Sequence, residues 1–322
     1  MFTRLGTLQI FNTYRREGIR MIRAKGTVFI LFCLAAIFLS VGCAATKKIT
    51  KDITGKGGRL KKKIAFLPTF NKTGYGGEAF AKLVRTNFKT SVESSCDDLI
   101  IIDSQETLNL LAEIPLLPSG RIDNMALAKL GRALGVSVVL EEGLSGLECL
   151  AEKRGIWGLR NTRMLVQLSV SLRGYDTESG AILFEEVVQG EVEVAESAWK
   201  DIKERTGFSK EVADRLLAQA MPEISERACD VIGSERWKGY VTSVSGNTFG
   251  LTAGRDVGLA EGDVLEVFGV SEPIKGDAGQ SYFVSGPKIG ELKITKVHGD
   301  RAEATRVLGS DLEKSSHVKL KE

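Results

Sequence analysis

Few residues in this chain are of types that could do chemistry. There are two histidines, His298 and His317, and five cysteines, Cys33, Cys43, Cys96, Cys149 and Cys229. Hydrolysis by a serine or cysteine needs an imidazole base within reach of the nucleophile. Neither histidine shares a motif with a nucleophile, so both are expected on surface strands. No Cys-x-x-Cys spacing occurs, so no zinc site is expected. Asp256, Glu261 and Asp263 cluster in a glycine-rich stretch and could serve as carboxylate catalysts or calcium ligands. Turn formation accounts for them equally well, because aspartate accepts hydrogen bonds from turn amides. Gly74-Tyr75-Gly76-Gly77-Glu78-Ala79 fits a relaxed G-x-G-x-x-A dinucleotide pattern, and Asp103 follows the next apolar run. A working fingerprint places its first glycine at the strand end, so that the helix N-terminus meets the pyrophosphate. Here Pro68 to Thr73 intervene, and a surface loop is expected. No catalytic residue, cofactor or small-molecule substrate is assigned.

Cys43 is the cysteine with a chemical context. Met21-Ile22-Arg23-Ala24-Lys25 is basic, residues 28–39 are apolar, and Ser40-Val41-Gly42 is a small-residue cleavage site. That order reads as an export signal, with Met21 the expected initiator because Arg4, Arg15, Arg16 and Arg20 make the preceding residues basic. A cysteine directly after the cleavage point resembles the lipobox of bacterial lipoproteins. The resemblance implies a diacylated thiol and a third chain on the freed amine. Leu39 departs from the pattern, standing one residue further from the cysteine than usual, with Ser40 in its place. An uncleaved helix is the alternative, since residues 26–46 carry an uncharged stretch about long enough to span a bilayer. Either way, the chain after Cys43 is expected outside the cytoplasm. Several acyl chains on one cysteine hold a protein stably. Ala44, rather than Asp, after the cysteine implies passage to the periplasmic face of the outer membrane in that family's sorting logic.

Composition limits the remaining choices. A formal net charge of +3 is too small to argue for nucleic acid. Loss of Cys33 with the signal and acylation of Cys43 leave Cys96, Cys149 and Cys229. Two of these could pair in an oxidising compartment, although buried free thiols are the preferred reading.

The elements follow from periodicity. Residues 43–61, rich in Lys, Gly and Thr, read as a lipidated tether after the signal at 1–42. Ile64-Ala65-Phe66-Leu67, Leu99-Ile100-Ile101-Ile102 and residues 136–140 read as buried strands. Phe80, Leu83, Val84 and Phe88 mark one helix face, while Leu127, Leu130 and Leu134 mark another, capped by Asp123 and stopped by Gly135. Residues 164–173 alternate as a half-buried strand, and 182–194 return as its hairpin partner. Ser209 opens a long helix in which Pro222 is expected to cause a kink. Beyond Trp237, short strands at 239–244, 248–252, 263–268, 288–297 and 301–307 alternate with glycine turns, the spacing of a small barrel. Gly258 and Gly262 suit positive φ, Leu259 plugs the barrel end, and Asp263 holds the turn. Residues 271–286 are expected to form an exposed, variable loop.

The expected fold class is α+β, with a mixed-sheet domain over 62–235 and a β-barrel over 236–322 able to fold alone. Ile64-Ala65-Phe66-Leu67-Pro68-Thr69-Phe70-Asn71 and Gly174-Tyr175-Asp176-Thr177-Glu178-Ser179-Gly180-Ala181-Ile182 resemble the α/β module shared by the curli-secretion lipoprotein family and the amino-terminal domain of the Tol translocation protein. The stretch from Gly254 to Val267 is similar to the SH3-like domain of the flagellar H-ring T protein. These resemblances imply a non-enzymatic lipoprotein, anchored to the outer membrane, that assembles envelope proteins of secretion or flagellar type, with a homo-oligomer among its possible states. The alternatives are a curli-type secretion pore and, behind it, a nucleotide-binding enzyme. A pore of that type needs long alternating hairpins. Residues 145–163 carry Glu148, Glu152, Lys153, Arg154 and Arg160 without sustained alternation, and 195–207 read as a charged helix or loop. Cys43→Ser should leave the chain soluble in the periplasm or unprocessed. Palmitate labelling that survives the substitution would refute the anchor.

Overall fold

The computed structural model describes residues 60–156, 160–270, 272–276, 279–310, 312 and 316–321. Cys43, the signal segment and nearly all of the expected tether lie outside these described residues. Lys62–Phe66 (β1) is buried along its whole length. A strand with no exposed face belongs in a sheet covered on both sides. It lies parallel to both Leu99–Ile102 (β3) and Val138–Arg154 (β4). Pro68 interrupts it, having no N–H to donate. The chain resumes as Phe70–Asn71 (β2), paired with β4 at Gly143 and Leu144. Asn161–Asp176 (β5) and Ile182–Glu193 (β6) add antiparallel, completing the order β3-β1-β4-β5-β6 with β2 beside β4.

Among the described residues, five helices cover this sheet: Gly77–Ser95 (α1), Gln105–Ala112 (α2), Asn124–Leu134 (α3), Glu196–Lys203 (α4) and Lys210–Ser234 (α5). Phe80, Val84, Phe88 and Val92 recur every four residues, so α1 presents one apolar stripe, which packs with α5 on one face of the sheet. On the other face, Leu111 of α2 and Leu127 of α3 meet Ala65, Val139 and Tyr175. The foreseen caps are present: Asp123 Oδ1 accepts from Met125 N and Ala126 N, and Ser209 Oγ from Val212 N. α5 runs continuously through Pro222.

Gly239–Ser245 (β7), Thr248–Leu251 (β8), Val264–Val270 (β9), Ser285–Val297 (β12), Ala302–Leu308 (β13) and His317–Leu320 (β14) form a closed barrel in the order β12-β13-β8-β7-β14-β9. Ile274–Lys275 (β10) and Ser281–Tyr282 (β11) pair as a separate small hairpin. The fold is therefore α+β with a small barrel. Gly258 (φ +95°) and Gly262 (φ +89°) take the left-handed turns expected of them, and Leu259 is buried in the barrel core.

Several expectations need correction. Leu60 is only 2% exposed and belongs to the barrel core, while Lys61 N donates to Val257 O at 2.9 Å. These two residues are thus part of the folded body, and the barrel core draws on a side chain outside 236–322. Residues 145–154 continue β4, paired with β5 out to Arg154 opposite Asn161. A bulge between Leu144 and Gly146 shifts which residues face inward and hides the alternation. The charged helix expected within 195–207 is α4. The preferred reading of free thiols fails for two cysteines. Cys96, which caps α1, is disulfide-bonded to Cys229 on α5, with Cα atoms 5.7 Å apart, and Cys149 is free. The bridge closes a sequence separation of 133 residues. Replacing both cysteines by alanine should lower the unfolding free energy by about 2–5 kcal/mol, mainly by releasing the unfolded chain. Urea titrations of the variant and the oxidised parent should differ by that amount, and coincident curves would refute the bridge.

Candidate functional site

The connection from β5 to β6 is the turn Asp176-Thr177-Glu178-Ser179-Gly180. Asp176 Oδ2 accepts from Ser179 N at 2.9 Å and Ser179 Oγ at 2.6 Å, and Gly180 N donates to Asp176 O at 2.8 Å. Hairpin turns are normally solvated. This one lies beneath the barrel, with Asp176, Thr177 and Glu178 all buried. Each polar group must then find a partner in the protein. Thr177 Oγ1 donates to Val136 O at 2.5 Å and lies 2.8 Å from the Tyr240 hydroxyl. Lys238 Nζ is 2.6 Å from Asp176 Oδ1 and 3.2 Å from Glu178 Oε2. The other oxygen of Glu178 meets His317 Nε2 at 3.0 Å and Lys319 Nζ at 3.2 Å. From the sheet side, Arg132 of α3 donates to the carbonyls of Thr177 and Glu178, and its guanidinium stands 4.0 Å from the Phe283 ring centroid.

Electrostatics follow from these contacts. Burial alone would push the Glu178 carboxyl up, but the His317 hydrogen bond and the charges of Lys238, His317 and Lys319 hold it well below the usual carboxylate range. Burial disfavours the Lys238 ammonium, and the carboxylates of Asp176 and Glu178 more than restore it, so it is held above its ordinary value. Burial raises the Tyr240 hydroxyl, keeping it a neutral partner for Thr177.

A second junction forms on β1. Lys63 Nζ reaches Asp256 Oδ2 at 2.9 Å, Thr252 O at 3.1 Å and Asp300 O at 3.2 Å, which accounts for all three ammonium protons. A groove of about 440 Å³ opens beside it, lined in part by His298, Arg301 and Glu303.

The candidate chemical residues fall as follows. Asp256 Oδ1 accepts from Gly254 N and Val257 N, and Asp263 Oδ2 from Ala260 N, so both hold turns, while Glu261 is exposed. In the glycine loop, Asn71 Nδ2 donates to Tyr75 O at 2.8 Å, the Tyr75 hydroxyl donates to Ile202 O at 2.6 Å, and Arg205 packs against Gly74. Asp103 is ion-paired with Lys89 of α1. His298 lies 3.4 Å from Glu303. His317 is no surface residue: it is 3% exposed and stacks on Phe268. Nor are residues 271–286 merely an exposed loop, because Phe283 N donates to Ser179 O and Ser281 O accepts from Asn124 Nδ2. Among the described residues, no group of three or more His, Cys, Asp or Glu could hold a metal ion. Sequence reasoning picked out the turn as a motif but missed its role. A Lys-x-Tyr step beginning β7 and a His-x-Lys step in β14 were the available signals.

The sequence matches no family model and no curated protein. Solved structures that match part of this chain include bacterial lipoproteins and a hypothetical protein. The hypothetical protein CT253 from Chlamydia trachomatis is 15% identical, with 53% of this chain and 99% of that one covered at a TM-score of 0.32. Lipoprotein GNA1162 from Neisseria meningitidis is 14% identical over 45% of this chain and 94% of that one, at a TM-score of 0.27. A minor lipoprotein from Acinetobacter baumannii is 8% identical over 54% and 93%, at 0.27. Likenesses this slight carry no argument about function.

Glu178→Gln should cost about 3–5 kcal/mol, because it strands buried cations. Its folded carboxyl is depressed, so the stability it contributes is present above the unfolded value of about 4.3 and is lost as pH falls toward the folded one. Urea titrations should therefore show the gap between parent and variant narrowing from pH 7 to pH 3. A gap that stays constant or widens would refute this account.

Proposed function

We propose that the chain is a lipid-anchored, non-enzymatic lipoprotein on the periplasmic face of the outer membrane, serving as an assembly or scaffolding factor for an envelope complex. The observation that carries this reading is the buried turn. Asp176, Thr177 and Glu178 are committed to barrel residues, so two folded parts present their surfaces in one fixed arrangement, as an adaptor requires. The disulfide suits an oxidising compartment. The motif before Cys43 supports the anchor, and the curli, Tol and H-ring resemblances support an envelope role of secretion or flagellar type. No helix among the described residues is long and apolar enough to cross a membrane, which leaves β-strand insertion to be weighed separately.

The secretion-pore reading rests on the β4–β5 hairpin. Beyond Leu165, where β6 ends its pairing, only four rungs remain, from Ala151 opposite Met164 to Arg154 opposite Asn161. A membrane-spanning strand needs about 9–11 residues, so this extension is too short. Chemical crosslinking of intact envelopes should place the wild-type chain in an assembly larger than a monomer, and Cys43→Ser should abolish that species. A chain that stays monomeric, anchored or not, would overturn the scaffolding role.

A further inference from the structure

The mixed sheet ends on two strands whose edges differ. At the β6 edge, Gln219 Oε1 accepts from Glu191 N and Arg215 donates to Glu193 O, so side chains of α5 occupy backbone groups there. β3 forms the other edge and, among the described strands, pairs only with β1. Lys62 stands opposite Leu99 in the parallel register, and Lys62 N donates to Asp98 O at 2.8 Å. In that pattern Ile100 turns its N–H and C=O toward β1, while Leu99 and Ile101 turn theirs away. No described residue bonds to these outward groups. Buried backbone groups are almost always paired, and all four residues of β3 are half-exposed. The outward row therefore stands in water.

Both faces of β3 are already covered. Leu99 and Ile101 pack into the core shared by α1 and α5, Ile100 against the barrel core, and Ile102 against the cluster of α2 and α3. What stays open is the edge, a row of directional groups that an extended backbone complements. Sheet edges are commonly blunted by proline, charge or a bulge. Leu99-Ile100-Ile101-Ile102 has none of these, and only its length of four residues limits what can pair with it. Charge identifies the occupant further. Glu93, Asp97 and Asp98 precede the strand, and Asp103 and Glu106 follow it. Lys89, the cation beside them on α1, is engaged by Asp103 and Glu93. The whole chain carries +3, so this acidity is local. Asp97 and Asp103 are both exposed and six residues apart, which puts them on one face about 20 Å from each other along an extended chain. A second copy of this chain fits poorly, because pairing Leu99 with the copy's Ile101 would set Asp97 against Asp103.

We propose that β3 pairs with a short extended segment of a partner protein, β-branched or aliphatic in its middle and basic at both ends. The segment's N–H and C=O groups would exchange hydrogen bonds with Leu99 and Ile101, and its terminal cations would meet Asp97 and Asp103. This rests on the scaffolding reading above and names where a partner docks.

The test is fluorescence anisotropy on the full chain in detergent, with a labelled peptide of sequence Lys-Val-Thr-Ile-Thr-Val-Lys as the probe. The parent should bind it saturably. Exchanging both lysines of the peptide for glutamate should weaken binding about tenfold at low salt. N-methylation at the central Thr-Ile step removes donors from both edges of the peptide and should also cost about tenfold. On the protein, Ile101→Pro deletes an outward N–H that β1 does not use, at a place where an edge strand accepts proline. It should bind about tenfold more weakly than Ile101→Ala, which loses the side chain but keeps the N–H. Both variants are first checked for equal Tm, and if Ile101→Pro melts lower the N-methylated peptide decides. Absence of saturable binding, equal binding of the N-methylated peptide, or equal binding by the two folded variants overturns the proposal. Equal binding of the glutamate peptide overturns the assignment of a basic partner. Self-association of the parent that Ile101→Pro abolishes gives the edge to a second copy and overturns it too. A null result here beside a crosslinked assembly in envelopes would discard the edge alone, whereas a monomeric chain in envelopes would discard the scaffolding role.

Discussion

Two carboxylates that have been taken out of water set the terms for the rest of this molecule. Removing an ion from solvent costs several kcal/mol even after the protein relaxes, and only close counter-charges and hydrogen bonds offset it. Asp176 and Glu178 sit on a turn of the sheet, yet Lys238, His317 and Lys319, which answer them, belong to the barrel. Neither part satisfies these groups alone. Apolar surfaces tolerate sliding, because burial is non-directional. Two carboxylates with three fixed partners, and a threonine clamped between two carbonyls and a tyrosine, do not.

β1 repeats the constraint at the opposite end of the chain order. Leu60 enters the barrel core, Lys63 reaches three barrel oxygens, and between them Lys61 and Lys62 are already bonded to the barrel turn and to Gly233. The strand at the centre of the parallel part of the sheet is thus also tied to the barrel. Lys62 and Lys63 are buried side by side at the start of the strand, and each ammonium is met by backbone carbonyls, of Gly233 for one and of Thr252 and Asp300 for the other.

The parts of this arrangement that were legible in sequence are local. Helix stripes, the caps Asp123 and Ser209, and the turns at Gly258, Gly262 and Asp263 depend on neighbours a few residues away, so spacing alone exposes them. The pairing of Cys96 with Cys229 was not legible, because it depends on α1 and α5 lying side by side. The burial of His317 depends on β14, a strand of only four residues, closing the barrel. Residues 145–154 were obscured by a bulge that changes the facing parity midway. The turn at Asp176 carried the composition of an ordinary solvent-exposed hairpin. What distinguishes it is the barrel above, and that lies more than 60 residues away in sequence.

A small cleft lined in part by Asn124, Arg173, Gly180 and Tyr282 shares its walls with the junction. Asn124 opens α3 and spends its amide nitrogen on Gly180 of the turn and Ser281 of the barrel hairpin, while the same hairpin places Phe283 over Arg132. If the barrel hairpin left the sheet, Asn124 would lose a fixing bond and Tyr282 would no longer line the cleft. The wall of this cleft therefore exists only while the barrel hairpin stays on the sheet.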